Sequence, residues 1–204
     1  VGGTFSTTRS FPDDNPTGTL SDTFTVAITL NDDDLGSDTE TSTTLTVNNV
    51  APELDSLSAT SVDETGTVHL TGSYHDAGIL DTHVLRVDWG EGMPELFVVS
   101  GGTFDIPHQY LDDNPSSTSS DIYTIGVTLT DDDTGSDTGN THTTVTNVAP
   151  EIELVQLSLS SIVEGQAVTV SGTFSDLALG MGSETFTGSA LWSDGVNTSL
   201  TIVG

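Results

Sequence analysis

The sequence predicts an all-β chain of tandem seven-strand β-sandwich modules, repeating with a period of about 99 residues. Three observations predict it. Residues 2–52 (GGTFSTTRSFPDDNPTGTLSDTFTVAITLNDDDLGSDTETSTTLTVNNVAP) return at 101–150 as GGTFDIPHQYLDDNPSSTSSDIYTIGVTLTDDDTGSDTGNTHTTVTNVAP, with Gly2 over Gly101 and Asp32 over Asp131. The apolar residues are largely β-branched and alternate with Thr and Ser, the period-2 pattern of strands with one buried face. Gly, Pro and Asp turn signals punctuate the chain every ~8–12 residues, which is sandwich spacing, and no helical periodicity runs through it.

The complete module is expected at 53–150, with strand A near Leu54–Thr60 and the turn SVDETG leading into strand B at 67–74. The acidic loop HDAGILDTH (75–83) precedes strand C at 84–89, and GEGMP is turn chemistry, because Gly90 and Gly92 take positive φ without steric cost. Strand D is expected at 95–100, the tight turn at Gly101 and Gly102, and strand E at 103–110. Pro115 marks 111–121 as a loop, since proline cannot sit in a central strand. Strand F follows at 122–130, with Tyr123, Ile125, Val127 and Leu129 on its core face. DDDTG (131–135) turns the chain into strand G, roughly 136–148.

The flanking segments read as half modules. Residues 1–52 carry counterparts of strands E to G, and 151–204 carry counterparts of A to D, with Trp192 matching Trp89 and Glu164 matching Glu64. Either half alone leaves a bare sheet edge and half a core exposed. In the order 151–204 then 1–52 they make one module, across a junction TIVG–VGGTF that parallels FVVSGGTF at 97–104. Two arrangements follow: a segment of a longer covalent array, or head-to-tail polymerisation in which 1–52 of the next subunit completes 151–204.

With 31 Asp and Glu against 2 Lys and Arg, the formal charge is -29, which excludes ordinary binding to nucleic acid or anionic lipid. Carboxylates crowded this way repel, so the compact state calls for salt or bound divalent cations. Cysteine is absent, so disulfides and thiolate metal sites are excluded. No run of 18 apolar residues occurs, so membrane insertion by a helix is not expected. The chain starts at Val1 and is expected to be processed or part of something longer.

VDWGEG (87–92), HQY (108–110) and YTIGVTLTDDDTG (123–135) resemble the polycystic-kidney-disease (PKD) repeat. That family shows an aromatic followed by Gly-Asp-Gly, then His-x-Tyr, then a Tyr-Thr-Val strand ending in Asp. NNVAPEL (48–54) and TNVAPEI (147–152) resemble cadherin-like linkers. The resemblance implies an Ig-like sandwich, placement outside a bacterial cell or on its surface, and no catalysis by the module. Three motifs depart from the pattern: Glu91 replaces Asp, Arg9-Ser10-Phe11 replaces His-x-Tyr, and Ser193 replaces a Gly.

Calcium is the expected cofactor. It takes about six to eight oxygens from carboxylates, amides and carbonyls, and the acids cluster in loops. Sandwich topology places Asp13, Asp14, Asp22, Asn48 and Asn49 on one rim, facing Asp76, Asp81, Asp131, Asp132 and Asp133. At the next junction Glu64, Asp112, Asp113, Asp121 and Asn147 face Asp176, and Glu164 repeats Glu64. The competing reading is that Asp-rich loops are turn formers and nothing more.

His75 and His83 flank one loop and are expected to be solvated, His108 to be structural, and Trp89 and Trp192 to pack in cores rather than stack on sugars. Acid pairs such as Asp88 with Glu91 suit turns better than glycoside hydrolysis, and no phosphate loop, zinc-protease or serine-hydrolase motif occurs. Asn197-Thr198-Ser199 is a candidate glycosylation sequon, and the Thr/Ser runs could carry surface glycans. The expected function is a non-enzymatic fibre or stalk partnered by itself head-to-tail; the alternative is a spacer or binding module of a secreted enzyme or adhesin.

Overall fold

A computed structural model describes residues 2–113, 116–180 and 184–203; Asn114 and Pro115 of the expected acidic loop lie outside them. The described chain is all-β. Its strands are β1 (Ser21–Phe24), β2 (Ala27–Asn31), β3 (Ser37–Thr41), β4 (Leu45–Asn48), β5 (Glu53–Ala59), β6 (Val62–Asp63), β7 (Thr67–His75) and β8 (His83–Asp88). They continue as β9 (Glu95–Val99), β10 (Thr103–Gln109), β11 (Ser120–Asp131), β12 (Ser136–Thr146), β13 (Glu151–Leu157), β14 (Val170–Ser175), β15 (Ser189–Leu191) and β16 (Asn197–Ser199). Strands β5 to β12 form a three-stranded sheet, β10-β7-β5, and a five-stranded sheet, β6-β12-β11-β8-β9, consistent with a β-sandwich. The flanking strands make two-stranded sheets: β1-β4, β2-β3, β13-β14 and β15-β16.

The chain divides into two compact units: Val1–Ser58, Leu70–Ile106 and Thr124–Thr141 form one; Ala59–His69, Pro107–Tyr123 and His142–Gly204 form the other. In the first unit β11 runs antiparallel to β8, Val127 opposite Val87 and Leu129 opposite Leu85. These four side chains are almost wholly buried, together with Leu70, Trp89 and Ile125. Trp89 therefore packs in the core, and β11 alternates as its sequence dictates, with Tyr123, Ile125, Val127 and Leu129 all buried. Burying such side chains contributes roughly 1.5–3 kcal/mol each. His83 is also buried, its Nε2 2.9 Å from Asp76 Oδ2 and its ring 5.0 Å from Tyr74. That corrects the solvated reading: the ring is held by a carboxylate and an aromatic wall. His75 is exposed and meets Asp55.

In the second unit, the Tyr110 and Tyr123 rings meet tilted at 39° with centroids 4.3 Å apart, and Val68 and Val145 are fully buried. His108 packs edge-on to Tyr110 at 4.8 Å, a structural role. The segment read as a plain turn after strand A contains β6, which pairs in parallel with β12, Val62 opposite Val145. Thr143 Oγ1 donates to Thr60 O at 2.7 Å and Glu64 N to Thr146 O at 2.9 Å, so the chain leaves one sheet for the other before it turns.

The flanking segments are thinner than expected. Among residues 2–20 no strand forms where a counterpart of strand E was anticipated, and Thr25 and Val26 interrupt what is continuous in β11. All of β13 is exposed, including Ile152, Leu154 and Val155. A strand needs a hydrogen-bonded neighbour on at least one side, and these segments have few.

Candidate metal centres

The first unit gathers carboxylates from three segments. The loop after β7 supplies Asp76 and Asp81, the end of β11 and the turn after it supply Asp131 to Asp133, and the N-terminal segment supplies Asp13 and Asp14. Three triads, Asp13–Asp14–Asp133, Asp76–Asp81–Asp131 and Asp81–Asp132–Asp133, each place their ligand atoms within 4.8 Å of one another. Asp81 and Asp133 are shared, so the triads form one continuous patch.

Local structure fixes most of these groups. Asp131 Oδ1 accepts Gly135 N at 2.7 Å and its Oδ2 accepts Asn49 Nδ2 at 2.8 Å. Asp132 Oδ1 accepts Thr82 N at 2.7 Å, and Asp76 Oδ1 accepts Gly78 N at 2.9 Å in an Asx turn. Asp13 accepts from the backbone and side-chain amides of Asn15, and Ile79 N donates to Pro12 O at 3.1 Å. The N-terminal segment is thereby seated against the acidic loop, beside a cleft lined in part by Phe11, Asp13, Asp14, Asn49 and Gly78.

What the protein leaves unsatisfied is as telling. Asp14 is 2 % exposed, yet its Oδ2 has no hydrogen-bond partner, and neither oxygen of Asp81 has one. Burial pushes the Asp81 carboxyl up to about 7, reinforced by the charges of Asp13, Asp76, Asp131 and Asp132. Burial, then Asp14, Asp132 and Asp13, likewise raise Asp133. Two carboxylates 4 Å apart repel by about 4 kcal/mol at an effective dielectric constant of 20. Protons or a bound cation would relieve that repulsion.

The second unit builds a similar cluster. Glu64 lies with Asp112 and Asp113 in one triad and with Asp176 and Glu184 in another. Glu64 is 1 % exposed; its Oε1 accepts Val148 N at 2.7 Å and its Oε2 is unpartnered. Asp113 Oδ2, Asp176 Oδ2 and Glu184 Oε2 are also buried without partners. Burial pushes Glu184 up to about 7, with Asp176, Glu64 and Asp112 adding to it. Burial and acidic neighbours also raise Glu64 and Asp113. Both clusters offer oxygen donors alone, the chemistry of a hard divalent cation.

Of the residues anticipated from sequence, the clusters bring together Asp13, Asp14, Asp76, Asp81 and Asp131 to Asp133, and separately Glu64, Asp112, Asp113 and Asp176. Asn49 acts at one remove, through Asp131. Asp22 and Asp121 instead brace loops, accepting from Thr17 and Ser116. Asn48 and Glu164 are exposed, and Asn147 uses its backbone N–H on Ser119 O. Asn197 is exposed in β16. Glu184 was missed; its signal is a loop three residues longer than the one holding Asp81, counted from Asp176 and Asp76 to the following aromatic or His at 186 and 83. The chain matches no protein-family model and no curated protein sequence.

Proposed function

We propose that this chain is a structural segment of an extracellular fibre or stalk. In this reading, tandem Ig-like modules on a period of about 99 residues are joined head-to-tail, and calcium locks their acidic junctions. The observation that carries the reading is the set of buried carboxylate oxygens without hydrogen-bond partners, on Asp14, Asp81, Glu64, Asp113, Asp176 and Glu184, gathered where separate segments meet. A cation shared between segments converts repulsion into a tie, and short linkers between tied modules act as a rod rather than a flail. Calcium suits the reading better than magnesium, because calcium takes about six to eight oxygens in flexible, carboxylate-rich geometry, whereas magnesium demands a near-ideal octahedron and keeps several of its waters.

The test is thermal unfolding of the chelator-stripped chain against calcium. One to two millimolar calcium, roughly 100 times a dissociation constant in the ten-micromolar range, adds about 2.7 kcal/mol of stability. That corresponds to a rise of several degrees, at about 2–4 °C per kcal/mol for a chain of this size. An unchanged melting temperature between chelator and calcium sinks the proposal. Electron microscopy separates the fibre from a spacer of a secreted enzyme: uniform long threads for the first, isolated short particles for the second.

A further inference from the structure

The second cluster lacks a part that the first possesses. Asp176 stands as Asp76 does: Ala178 N donates to Asp176 Oδ1 at 2.9 Å, as Gly78 N donates to Asp76 Oδ1 at 2.9 Å. The Phe174–Phe186 pair, 5.0 Å between centroids, takes the place of Tyr74–His83, also 5.0 Å, which puts Glu184 in the place of Asp81. Asp112 and Asp113 take the places of Asp13 and Asp14. Among the described residues of the second cluster, nothing takes the place of Asp131 to Asp133.

The matching turn exists elsewhere in the chain, unused. Asp32 N donates to Gly36 O at 2.9 Å and Gly36 N to Asp32 Oδ1 at 2.6 Å, with Leu35 at φ 72°. In the turn after β11, Asp131 N donates to Gly135 O at 3.0 Å and Gly135 N to Asp131 Oδ1 at 2.7 Å, with Thr134 at φ 74°. Yet Asp32, Asp33 and Asp34 are exposed. The converse holds for the first cluster. Among the described residues it has no counterpart of buried Glu64, whose Oε1 accepts Val148 N; the sequence equivalents, Glu164 and Val50, are both exposed.

We propose that a second copy of this chain completes both centres: its Asp33 and Asp34 enter the Glu64–Asp176–Glu184 cluster, and its own Asp13–Asp14 cluster receives Glu164 in return. This rests on the metal reading above and names the partner of that site. The strands support the same pairing. β15 and β16 face each other in the register of β8 and β9, Ala190 opposite Thr198 as Val87 is opposite Glu95. The outer edge of β8 is covered by β11, Thr128 opposite Arg86, whereas among the described residues β15 pairs with β16 alone and β2 with β3 alone. Laying β2 of one copy on β15 of the other in that register sets Thr29 opposite Ser189. In that register Leu30, 56 % exposed in the single chain, takes the place of Leu129, which is fully buried opposite Leu85.

The absence of cysteine makes this register directly testable. Facing residues of an antiparallel pair have Cα atoms about 4.5–5.5 Å apart, inside the ~4.4–6.8 Å that a disulfide spans. A Thr29→Cys chain mixed with a Ser189→Cys chain under mild oxidant in millimolar calcium should give a cross-linked dimer, at least tenfold less of it in chelator. Adding Asp33→Asn and Asp34→Asn to the first chain, or Glu164→Gln to the second, should cut the yield by a similar factor; all three side chains are exposed in the single chain. Calorimetric calcium binding, run on the same samples, separates the failures. Calcium binding without cross-linking overturns the completion by a second copy and leaves the metal reading standing; no calcium binding overturns both. Cross-linking that ignores chelator and the carboxamide changes overturns the proposed metal completion.

Discussion

The Asp81 carboxylate has two buried oxygens without donors and stands near the charges of Asp13, Asp76, Asp131 and Asp132. Asn is nearly isosteric with Asp and carries no charge, so Asp81→Asn separates packing from electrostatics. In chelator at pH 8 the substitution removes repulsion, and the melting temperature should rise by a few degrees, at about 2–4 °C per kcal/mol. In calcium the same substitution removes a ligand and should weaken binding by at least tenfold, about 1.4 kcal/mol. Scanning calorimetry with and without calcium reads both arms. A variant that lowers the melting temperature equally in both conditions marks Asp81 as a packing residue and argues against a cation there.

At the scale of elements, β7 shows why a glycine interrupts a run of side chains. A Cβ on Gly72 would sit 2.3 Å from the Phe104 ring and 2.7 Å from the Ser56 backbone oxygen on the adjacent strand β5. The ring could shift, but the strand oxygen belongs to the sheet, so Gly72→Ala should cost about 1–3 kcal/mol. A urea denaturation midpoint lower than the parent's would show it; an unmoved midpoint would mean β5 yields. The clash is tertiary and invisible in sequence, whereas most of the strands from β5 to β12 were legible because their alternation is local. β6 was hidden because two residues carry no period, and its parallel pairing with β12 depends on where the chain crosses between sheets. The acidic runs announced themselves, but Asp121 and Asp22 look like ligands in sequence while the fold spends them on Ser116 and Thr17. Glu184 escaped because spacing within a loop fixes no position in space, and His83 because a loop-end histidine reveals nothing of the Tyr74 wall beside it.

For the whole molecule the decisive quantity is the charge of -29, and pH tests how the fold tolerates it. Folding raises the Asp81 carboxyl from 3.8 to about 7 and the Glu184 carboxyl from 4.5 to about 7, and it raises Glu64, Asp113 and Asp133 as well. Between those limits the folded chain holds protons that the unfolded chain has released. Stability therefore falls as pH rises through that window, the reverse of a salt-bridged carboxylate. In chelator the melting temperature should decline from pH 5 to pH 7 and level off above it, as the last of these groups ionise against one another. Calcium replaces those protons, so its stabilising effect should be small at pH 5, where protons compete for the same oxygens, and largest at pH 8. Melting curves at pH 5, 6, 7 and 8, each with chelator and with calcium, define both slopes. A melting temperature that climbs with pH in chelator would mean the clustered carboxylates are stabilised as anions by the protein itself. The cation would then have no electrostatic conflict to resolve.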